Sequence, residues 1–244
     1  MIKSLKIYLS LSLFIFFHIA CNKFGCPTSS GSSSNKIVDL PVFKQIILYD
    51  KINLILTYDS LQSVKIETGK NMLSGIQTTV ADSILTIRNN NTCNLFADPS
   101  NQVNIYISGN QLQNIAYYGA GNITSTNTLY LPEFRMDAWK GSGSVNLDLV
   151  SNQAYAIVRT ENVDITFKGH SNYTYVYASE AGSINLQDFS SVYMDVEQKS
   201  VRDMYIRVTD SLHANILYKG NLYYTGNPRK VDSYITSTGK LIQE

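Results

Sequence analysis

The sequence predicts an all-β solenoid with repeats of about 20 residues, preceded by a strand-rich N-terminal part. Two observations predict this fold. Apolar residues alternate with polar ones almost throughout the chain after residue 36, which is the pattern of half-buried strands. Polar breaks that mostly contain glycine then recur at a nearly constant spacing from about residue 115, and a fixed period of this length is typical of solenoids. Outside the N-terminal segment, no window shows the period of an amphipathic helix.

The first 20 residues have the features of a secretory signal. Lys3 and Lys6 precede an apolar block from Ile7 to Phe17, and the small residue Ala20 follows. The block is shorter than the roughly 20 residues that a permanent membrane helix needs. We therefore interpret residues 1–20 as a cleaved signal, in preference to a retained helix.

The residue after this segment predicts a lipid anchor. Ile19-Ala20-Cys21 resembles the last three positions of a bacterial lipobox, in which the cysteine becomes the acylated N-terminus. The position before them is His18, where leucine or valine is usual, so a plain secreted protein remains the second interpretation. The prediction is a protein lipidated at Cys21 and held in the cell envelope at the outer membrane, facing either the periplasm or the exterior.

The mature chain divides into a tether and a folded body. Residues 21–36 contain the polar run Pro27–Asn35, which is rich in serine and has nothing to bury, so they predict a flexible spacer. Residues 37–244 predict one continuous β-solenoid domain. A division near residue 114, with a separate strand-rich N-terminal subdomain, is the alternative.

Strands in the N-terminal part follow from strict alternation. The apolar members of the alternating pairs and triplets are Ile52, Leu54 and Leu56, then Val64 and Ile66, then Leu85 and Ile87, then Val103, Ile105 and Ile107. Ala81-Asp82-Ser83 predicts a turn between strands at Gln77–Val80 and Ile84–Arg88.

The repeats after residue 115 each contain a short strand, a polar break and a second short strand. Glycines mark four of the breaks, at Gly119/Gly121, Gly141/Gly143, Gly182 and Gly220. We expect the apolar residues after the breaks to form one inward column: Ile123, Val145, Val163, Ile184, Met204 and Leu222. The residues Asn122, Ser144, Asn162, Ser183 and Asn221 come just before that column. They predict either a hydrogen-bonded polar ladder or an ordinary turn preference.

Three strings resemble a known family, the auto-transporter adhesin head GIN domain proteins, which are common as lipoproteins of Bacteroidetes-type bacteria. The first is the run that opens at Phe43, the second is Gln-Asn-Ile-Ala-Tyr-Tyr-Gly-Ala-Gly-Asn-Ile from Gln113, and the third is Gly-Asn-Leu-Tyr-Tyr-Thr-Gly-Asn-Pro from Gly220. The resemblance covers most of residues 42–244. It implies a right-handed β-helix-like fold at an extracytoplasmic site, with no catalytic set.

Composition excludes several classes of function. The net charge is +1 and falls to about −1 without Lys3 and Lys6, so nucleic acid is not an expected partner. Cys26 and Cys93 could form a disulfide if Cys21 is acylated. Outside the signal, the only histidines are His170 and His213. Because neither has a further ligand at a suitable spacing, no metal site and no cofactor are expected.

Carboxylates do not predict an enzyme. Asp137 and Asp195 occupy similar places in their repeats, but Ile157 and Val176 stand in the repeats between them. Glycoside hydrolysis needs two carboxylates about 5–10 Å apart, and no acidic column of that kind is evident. We therefore expect a non-enzyme, with a glycan-active β-helix enzyme as an alternative.

The candidate binding surface is a strip of three tyrosines. Tyr173, Tyr175 and Tyr177 alternate with Thr174 and Val176, so they share one face, which is outward if Val176 points inward. Such a strip can contact sugar rings or a protein partner, or it can pack with Tyr155 and Tyr193 in a purely structural ladder. Trp139 could join the same surface.

The function that the sequence predicts is an envelope lipoprotein that presents this solenoid surface as an adhesin. A membrane would hold its lipid anchor, and its ligand would be a glycan, an envelope protein or a host protein. The alternative is a structural periplasmic protein that binds nothing small. Fold alone does not decide between them.

Overall fold

The computed structural model describes residues 29–91, 102–159 and 162–244. These residues form one hydrogen-bonded sheet of seventeen strands and a short 3₁₀ turn at Leu73–Gly75, which confirms the predicted all-β class. Cys21, Cys26, Cys93 and the signal segment lie outside the described residues. The strands are β1 (Ser33–Val38), β2 (Gln45–Leu48), β3 (Asn53–Tyr58), β4 (Ser63–Gly69), β5 (Ile76–Ala81), β6 (Ile84–Asn89), β7 (Asn104–Gly109), β8 (Asn114–Tyr117), β9 (Ala120–Ser125), β10 (Leu129–Ala138), β11 (Ser142–Val158), β12 (Asn162–Glu180), β13 (Ser183–Ser200), β14 (Met204–Ile216), β15 (Leu222–Thr225), β16 (Lys230–Ile235) and β17 (Leu241–Gln243).

From β8 onward, the sheet coils into a solenoid because each strand pairs in parallel with the strand one turn later. Val145 lies beside Ile165, and Ala156 lies beside Val176, so one turn takes 20 residues. Consecutive turns are therefore about 4.8 Å apart, the ordinary separation of hydrogen-bonded strands. This register confirms the predicted solenoid and its period.

Three parallel ladders run along the solenoid. Ladder A contains residues 114–117, 135–138, 155–158, 173–180, 193–200, 211–216 and 230–235. Ladder B contains residues 120–125, 142–146, 162–166, 183–185, 204–207, 222–225 and 241–243. Ladder C contains residues 129–131, 149–151, 169–171 and 189–191. The chain passes from ladder A to ladder B through the polar breaks, which we call the A–B corner.

Alternation places apolar columns inside the coil. On ladder A the inward column is fully buried and consists of Ile115, Met136, Ala156, Val176, Val196 and Ala214. Similar columns on ladders B and C join it in one hydrophobic core. In β3 the inward and outward sides are those that the alternation predicts: Leu54 and Leu56 are buried, whereas Asn53 and Thr57 are not.

Glycines at the A–B corner let neighbouring turns approach closely. Gly141 has φ +136° and Gly143 has φ +145°, backbone angles that residues with a side chain rarely adopt. A Cβ atom on Gly141 would collide with the carbonyl oxygen of Gly119, and one on Gly143 would collide with that of Gly121. Backbone contacts between turns therefore require glycine at Gly141 and Gly143.

At the N-terminal end, the turns do not stack in chain order. β2 lies between β6 and β8, and β3 lies between β7 and β9, so the turn made by β6 and β7 is outside the earlier turn made by β2 and β3. Three antiparallel strands then close this end: β4 on β7, β1 on β4, and β5 on β6. The predicted turn between β5 and β6 is confirmed, with positive φ at Asp82 and Ser83.

In the apolar column after the breaks, and in the polar column just before it, one predicted member is wrong. Ile165, and not Val163, pairs with Val145, so Asp164 replaces Asn162 in the polar column. Both Val163 and Ile165 point inward, because a shift of two residues leaves a side chain on the same face. Hydrogen bonds do run along the polar column where Ser144 donates to Asn122, at 2.9 Å between Oγ and Oδ1.

Candidate functional site

Tyr173, Tyr175 and Tyr177 lie on the outer surface of ladder A, along β12. Thr174, Val176 and Ala178 alternate with them and are buried, which directs the three tyrosines outward together. Their side chains are half-buried, because neighbouring turns of the solenoid cover part of each ring. The sequence therefore placed the three residues on the correct side of the strand.

Carboxylates of the next turn hold two of the tyrosine hydroxyl groups. Tyr173 Oη donates to Asp195 Oδ2 at 2.8 Å, and Tyr175 Oη donates to Glu197 Oε1 at 3.0 Å. Burial is the main cause that raises the pKa of Tyr175 to about 12, and the bond to Glu197 adds to it. Burial, followed by the bond to Asp195, also raises the pKa of Tyr173, so both hydroxyls remain protonated donors at neutral pH.

The tyrosine rings also contact side chains of adjacent turns. Tyr155, one turn before, has its ring centroid 6.4 Å from that of Tyr173 and 6.5 Å from that of Tyr175. Lys199 Nζ lies 5.1 Å from the ring centroid of Tyr177 and 2.8 Å from Glu197 Oε2. That ammonium group is the main cause that lowers the pKa of Glu197. We call Tyr155, Tyr173, Tyr175, Tyr177, Asp195 and Glu197 the tyrosine surface.

A covered ion cluster adjoins the tyrosine surface. The Asp137 side chain is 6% exposed and accepts hydrogen bonds from Arg135 Nη2 at 3.0 Å and from Arg159 Nε at 2.9 Å. The bond to Asp137 is also the main cause that raises the pKa of Arg159. The Arg159 guanidinium lies 4.5 Å from the ring centroid of Trp139 and 5.4 Å from that of Tyr177, so it joins the cluster to the aromatic residues.

A column of stacked aromatic rings follows the same edge of ladder A. The ring centroids of Tyr49 and Tyr118 are 5.2 Å apart, and those of Tyr118 and Trp139 are 6.2 Å apart, with nearly parallel planes. Arg88 covers the ring of Tyr49 at 3.7 Å, and Arg159 covers Trp139. Sequence analysis missed this column. The spacing of 21 residues between Tyr118 and Trp139 is close to one turn and could have indicated their contact.

The expected correspondence between Asp137 and Asp195 is wrong. Asp137 is in register with Ile157, Tyr177 and Glu197, whereas Asp195 is in register with Tyr175 and Tyr155. The two aspartates are therefore in different columns, again because the alternation tolerates a shift of two residues. In the described part of the chain, no group of three or more histidine, cysteine or acidic side chains could hold a metal ion.

A small apolar cavity opens where ladder C begins. Its volume is about 160 Å³, and its lining includes Phe43, Leu56, Leu61, Ile107, Leu129 and Leu131. The cavity exists because β10 starts ladder C, and no described strand pairs with the outer edge of residues 129–131. An engineered apolar cavity of about 150 Å³ holds a benzene molecule, so this one has room for a single apolar ring or side chain.

The fold and these surfaces define a class of protein, a closed β-solenoid scaffold with an ordered aromatic and charged outer face. Solenoids of this kind present long regular surfaces suited to binding. A family model described as "Putative auto-transporter adhesin, head GIN domain" matches residues 42–228, and the chain belongs to this family. No helix in the described part is long and apolar enough to cross a membrane.

Solved structures from Bacteroides and Parabacteroides species have the same fold. A "putative adhesin" from Bacteroides fragilis has a TM-score of 0.81 at 17% identity, over 88% of this chain and 99% of its own. A "Putative lipid binding protein" and a "putative adhesin", both from Parabacteroides distasonis, have TM-scores of 0.65 and 0.63 at 15% and 17% identity. Each match covers 88% of this chain, and 97% and 99% of the other chains, respectively. Comparison with curated proteins gave no match.

Proposed function

We propose that the protein is a non-catalytic adhesin-type lipoprotein of the cell envelope, which binds a glycan or a protein partner through the tyrosine surface. The observation that carries the proposal is the fixed arrangement of Tyr173, Tyr175 and Tyr177, which lie side by side on an outer face with two of their hydroxyls bonded to carboxylates. Membership in a family named for adhesins supports it.

Rigidity of the tyrosine surface favours binding. Tyrosine provides a large amphipathic contact area with few rotatable bonds. Because hydrogen bonds and ring contacts already fix Tyr173 and Tyr175, a partner would not need to order them, and the entropy lost on association is smaller. Tyr193, which is exposed beside Tyr173 on the next turn, extends the available area.

The anchor in this proposal is a lipid on Cys21. A basic start, a short apolar block and Ala20 before Cys21 support it, and the residues between Cys21 and β1 would act as the spacer, since Ser33–Lys36 of the expected tether are paired with β4. Acylation would keep the solenoid at the outer membrane, facing the periplasm or the exterior. Nucleic acid is not a partner in this proposal.

Binding through the tyrosine surface is tested with the variant Tyr173→Ala/Tyr177→Ala. We expect it to lose at least tenfold in affinity for glycans or matrix proteins that retain the wild-type protein on an array. The matched control is Tyr205→Ala/Tyr223→Ala, which removes two stacked tyrosines, 5.0 Å apart, from ladder B. Equal binding by the wild type and both variants would contradict the proposal.

The envelope position is tested on intact cells. A protease too large to enter should remove the solenoid if it faces outward, and only lysis should expose it if it faces the periplasm. The variant Cys21→Ala should lose the acyl groups by mass spectrometry and should leave the membrane fraction. Protection in intact cells would contradict adhesion to an external partner.

A further inference from the structure

Six cations line the A–B corner and pair with no carboxylate in the described part of the chain. Each is exposed, and none forms an ion pair with another described residue. The six residues are Lys51, Lys70, Arg88, Lys140, Lys219 and Lys240. The overall charge of the chain is close to neutral, so this corner is basic because of where its cations lie.

The order of the turns places these cations in one row. Lys70 follows β4 at the closed end, Arg88 lies near the end of β6 in the adjacent turn, and Lys51 belongs to the turn after that. Lys140 lies in the middle of the solenoid, and Lys219 and Lys240 lie near its far end. With turns about 4.8 Å apart, the row is roughly 40 Å long.

Acidic side chains at the same corner reduce the positive charge of this row only a little. Asp50 accepts a hydrogen bond from the backbone nitrogen of Asn89, and Asp203 accepts one from that of Asn221, so both carboxylates are turned to the backbone. Among the described residues of the corner, Asp50 and Glu180 are both exposed. Arg159, Lys199 and Arg202 add three further cations, each already paired with an acidic side chain.

Aromatic side chains and a cleft occupy the same corner. Trp139 is 43% exposed beside Lys140, and Tyr218 is 41% exposed beside Lys219. A shallow cleft of about 410 Å³ lies at Tyr218, and its lining also includes Lys199, Val201 and Glu180. Exposed aromatic rings next to cations can contact the apolar face of a sugar ring while the cations pair with acidic substituents.

We propose that the A–B corner binds a single chain of an anionic polysaccharide. A row one cation wide fits a linear polymer, whereas a membrane would require cations spread over a flat face. The row has about one unpaired cation per 7 Å, which is sparse against the phosphates of duplex DNA, at about one per 1.7 Å of axis. The inference goes beyond the proposed function, because it uses a different surface and names a class of ligand.

The test uses the mature full-length chain with heparin and polygalacturonate as probes and neutral dextran as the blank. Trp139 is the one tryptophan of the chain and lies in the corner, so its fluorescence reports binding there. The corner variant is Lys51→Gln/Lys140→Gln/Lys219→Gln/Lys240→Gln. Its control, Lys36→Gln/Lys44→Gln/Lys168→Gln/Arg207→Gln, removes the same charge elsewhere.

The wild type and the control should bind one of the anionic polysaccharides with a change in Trp139 emission, and affinity should fall as salt rises. The corner variant should lose at least tenfold in affinity, and its remaining binding should depend less on salt. Because exposed substitutions change stability by about 0.5 kcal/mol or less, circular dichroism should show all proteins folded.

Several outcomes would overturn the proposal. Equal losses in the corner and control variants would mean that only net charge matters. Equal competition by duplex DNA, or binding only to vesicles that contain anionic lipid, would assign the corner to another class of partner. The variant Tyr173→Ala/Tyr177→Ala separates the two surfaces. If it alone loses polysaccharide binding, the tyrosine surface is supported and the corner is not.

Discussion

At the scale of single residues, Tyr117 shows how a buried hydroxyl group fixes the A–B corner. Its ring is fully buried, and its Oη donates to the carbonyl oxygens of Gly121 and Ser142, both at 3.0 Å. These carbonyls belong to successive turns, so one side chain joins two turns where the strands are interrupted. Burial raises the pKa of Tyr117 to about 12.

Tyr117→Phe should lower the free energy of unfolding at pH 7 by about 1–2 kcal/mol, because buried carbonyl groups lose their partner. The pKa of Tyr117 is higher in the folded protein than in the unfolded chain, so the folded state holds this proton more tightly. The resulting contribution to stability is complete below pH 10 and is lost as pH rises through about 12. The difference between wild type and variant should therefore shrink over that range. Urea unfolding at pH 7 and pH 11.5 measures it.

Tyr223→Phe is the control for Tyr117→Phe, because Tyr223 stacks on Tyr205 at the surface of ladder B. It should change the unfolding free energy by less than about 0.5 kcal/mol. A constant difference between wild type and Tyr117→Phe from pH 7 to pH 11.5 would contradict the expected titration.

Gly141→Ala should destabilise the corner through a backbone collision. The added Cβ would meet the carbonyl oxygen of Gly119, and φ is +136°. Overpacking and backbone strain each cost about 1–3 kcal/mol, so a loss of at least 2 kcal/mol is expected in thermal or urea unfolding.

Gly109→Ala separates the two causes of that loss. Gly109 also has positive φ, at +156°, but the nearest atom to its Cβ would be Gln62 Cα at 3.9 Å. A loss in Gly109→Ala as large as that in Gly141→Ala would attribute the effect to φ alone and would contradict the role of close approach between turns.

At the scale of elements, alternation predicts sides but not register. It placed Val176 inward and the three tyrosines outward, and it located the turn at Asp82 and Ser83. It assigned Val163 to the apolar column beside Val145, where the structure has Ile165. Both residues face the core, and only the pairing with the neighbouring turn distinguishes them. Asp195 and Glu197 were missed as tyrosine partners for the same reason, since each bond crosses between turns at a diagonal.

The hairpin of β5 and β6 provides a test at this scale. Ser83 has φ 62°, a left-handed conformation that costs a non-glycine residue about 1–2 kcal/mol. Ser83→Gly should therefore raise the free energy of unfolding by about 0.5–1 kcal/mol, measured by urea unfolding.

Ser33→Gly is the matched change in an exposed, extended position of β1. There glycine relieves no strain and adds freedom to the unfolded chain, so it should lower stability by roughly 0.5 kcal/mol. A gain from both substitutions, or from neither, would show that φ at Ser83 does not limit the hairpin.

At the scale of the molecule, the stacking order of the turns could not be predicted from the sequence. The turn of β6 and β7 and the turn of β2 and β3 have the same alternation, so either could lie next to β8 and β9. The aromatic column depends on this order, because Tyr49 meets Tyr118 only when β2 lies beside β8. The prediction of repeats was sound, since their period is carried by residues within each turn.

The two ends of the solenoid differ, and this predicts a gradient of local stability. The N-terminal end is closed by β1, β4 and β5, whereas every residue of β16 is exposed, including Val231 and Ile235. Each turn of a solenoid is stabilised mainly by its neighbours, so turns with two buried neighbours open least often.

Native-state hydrogen exchange should therefore be slowest in β11, β12 and β13. It should be fastest in β16 and β17, with the closed N-terminal end in between. The apolar-to-polar change Ile235→Ser should leave exchange in β12 unchanged, because that side chain is already 45% exposed, whereas Val176→Ala should accelerate exchange throughout the central turns. Uniform protection along the chain would show that the solenoid opens only as a whole, and that the uncovered end strand β16 is as stable as the core turns.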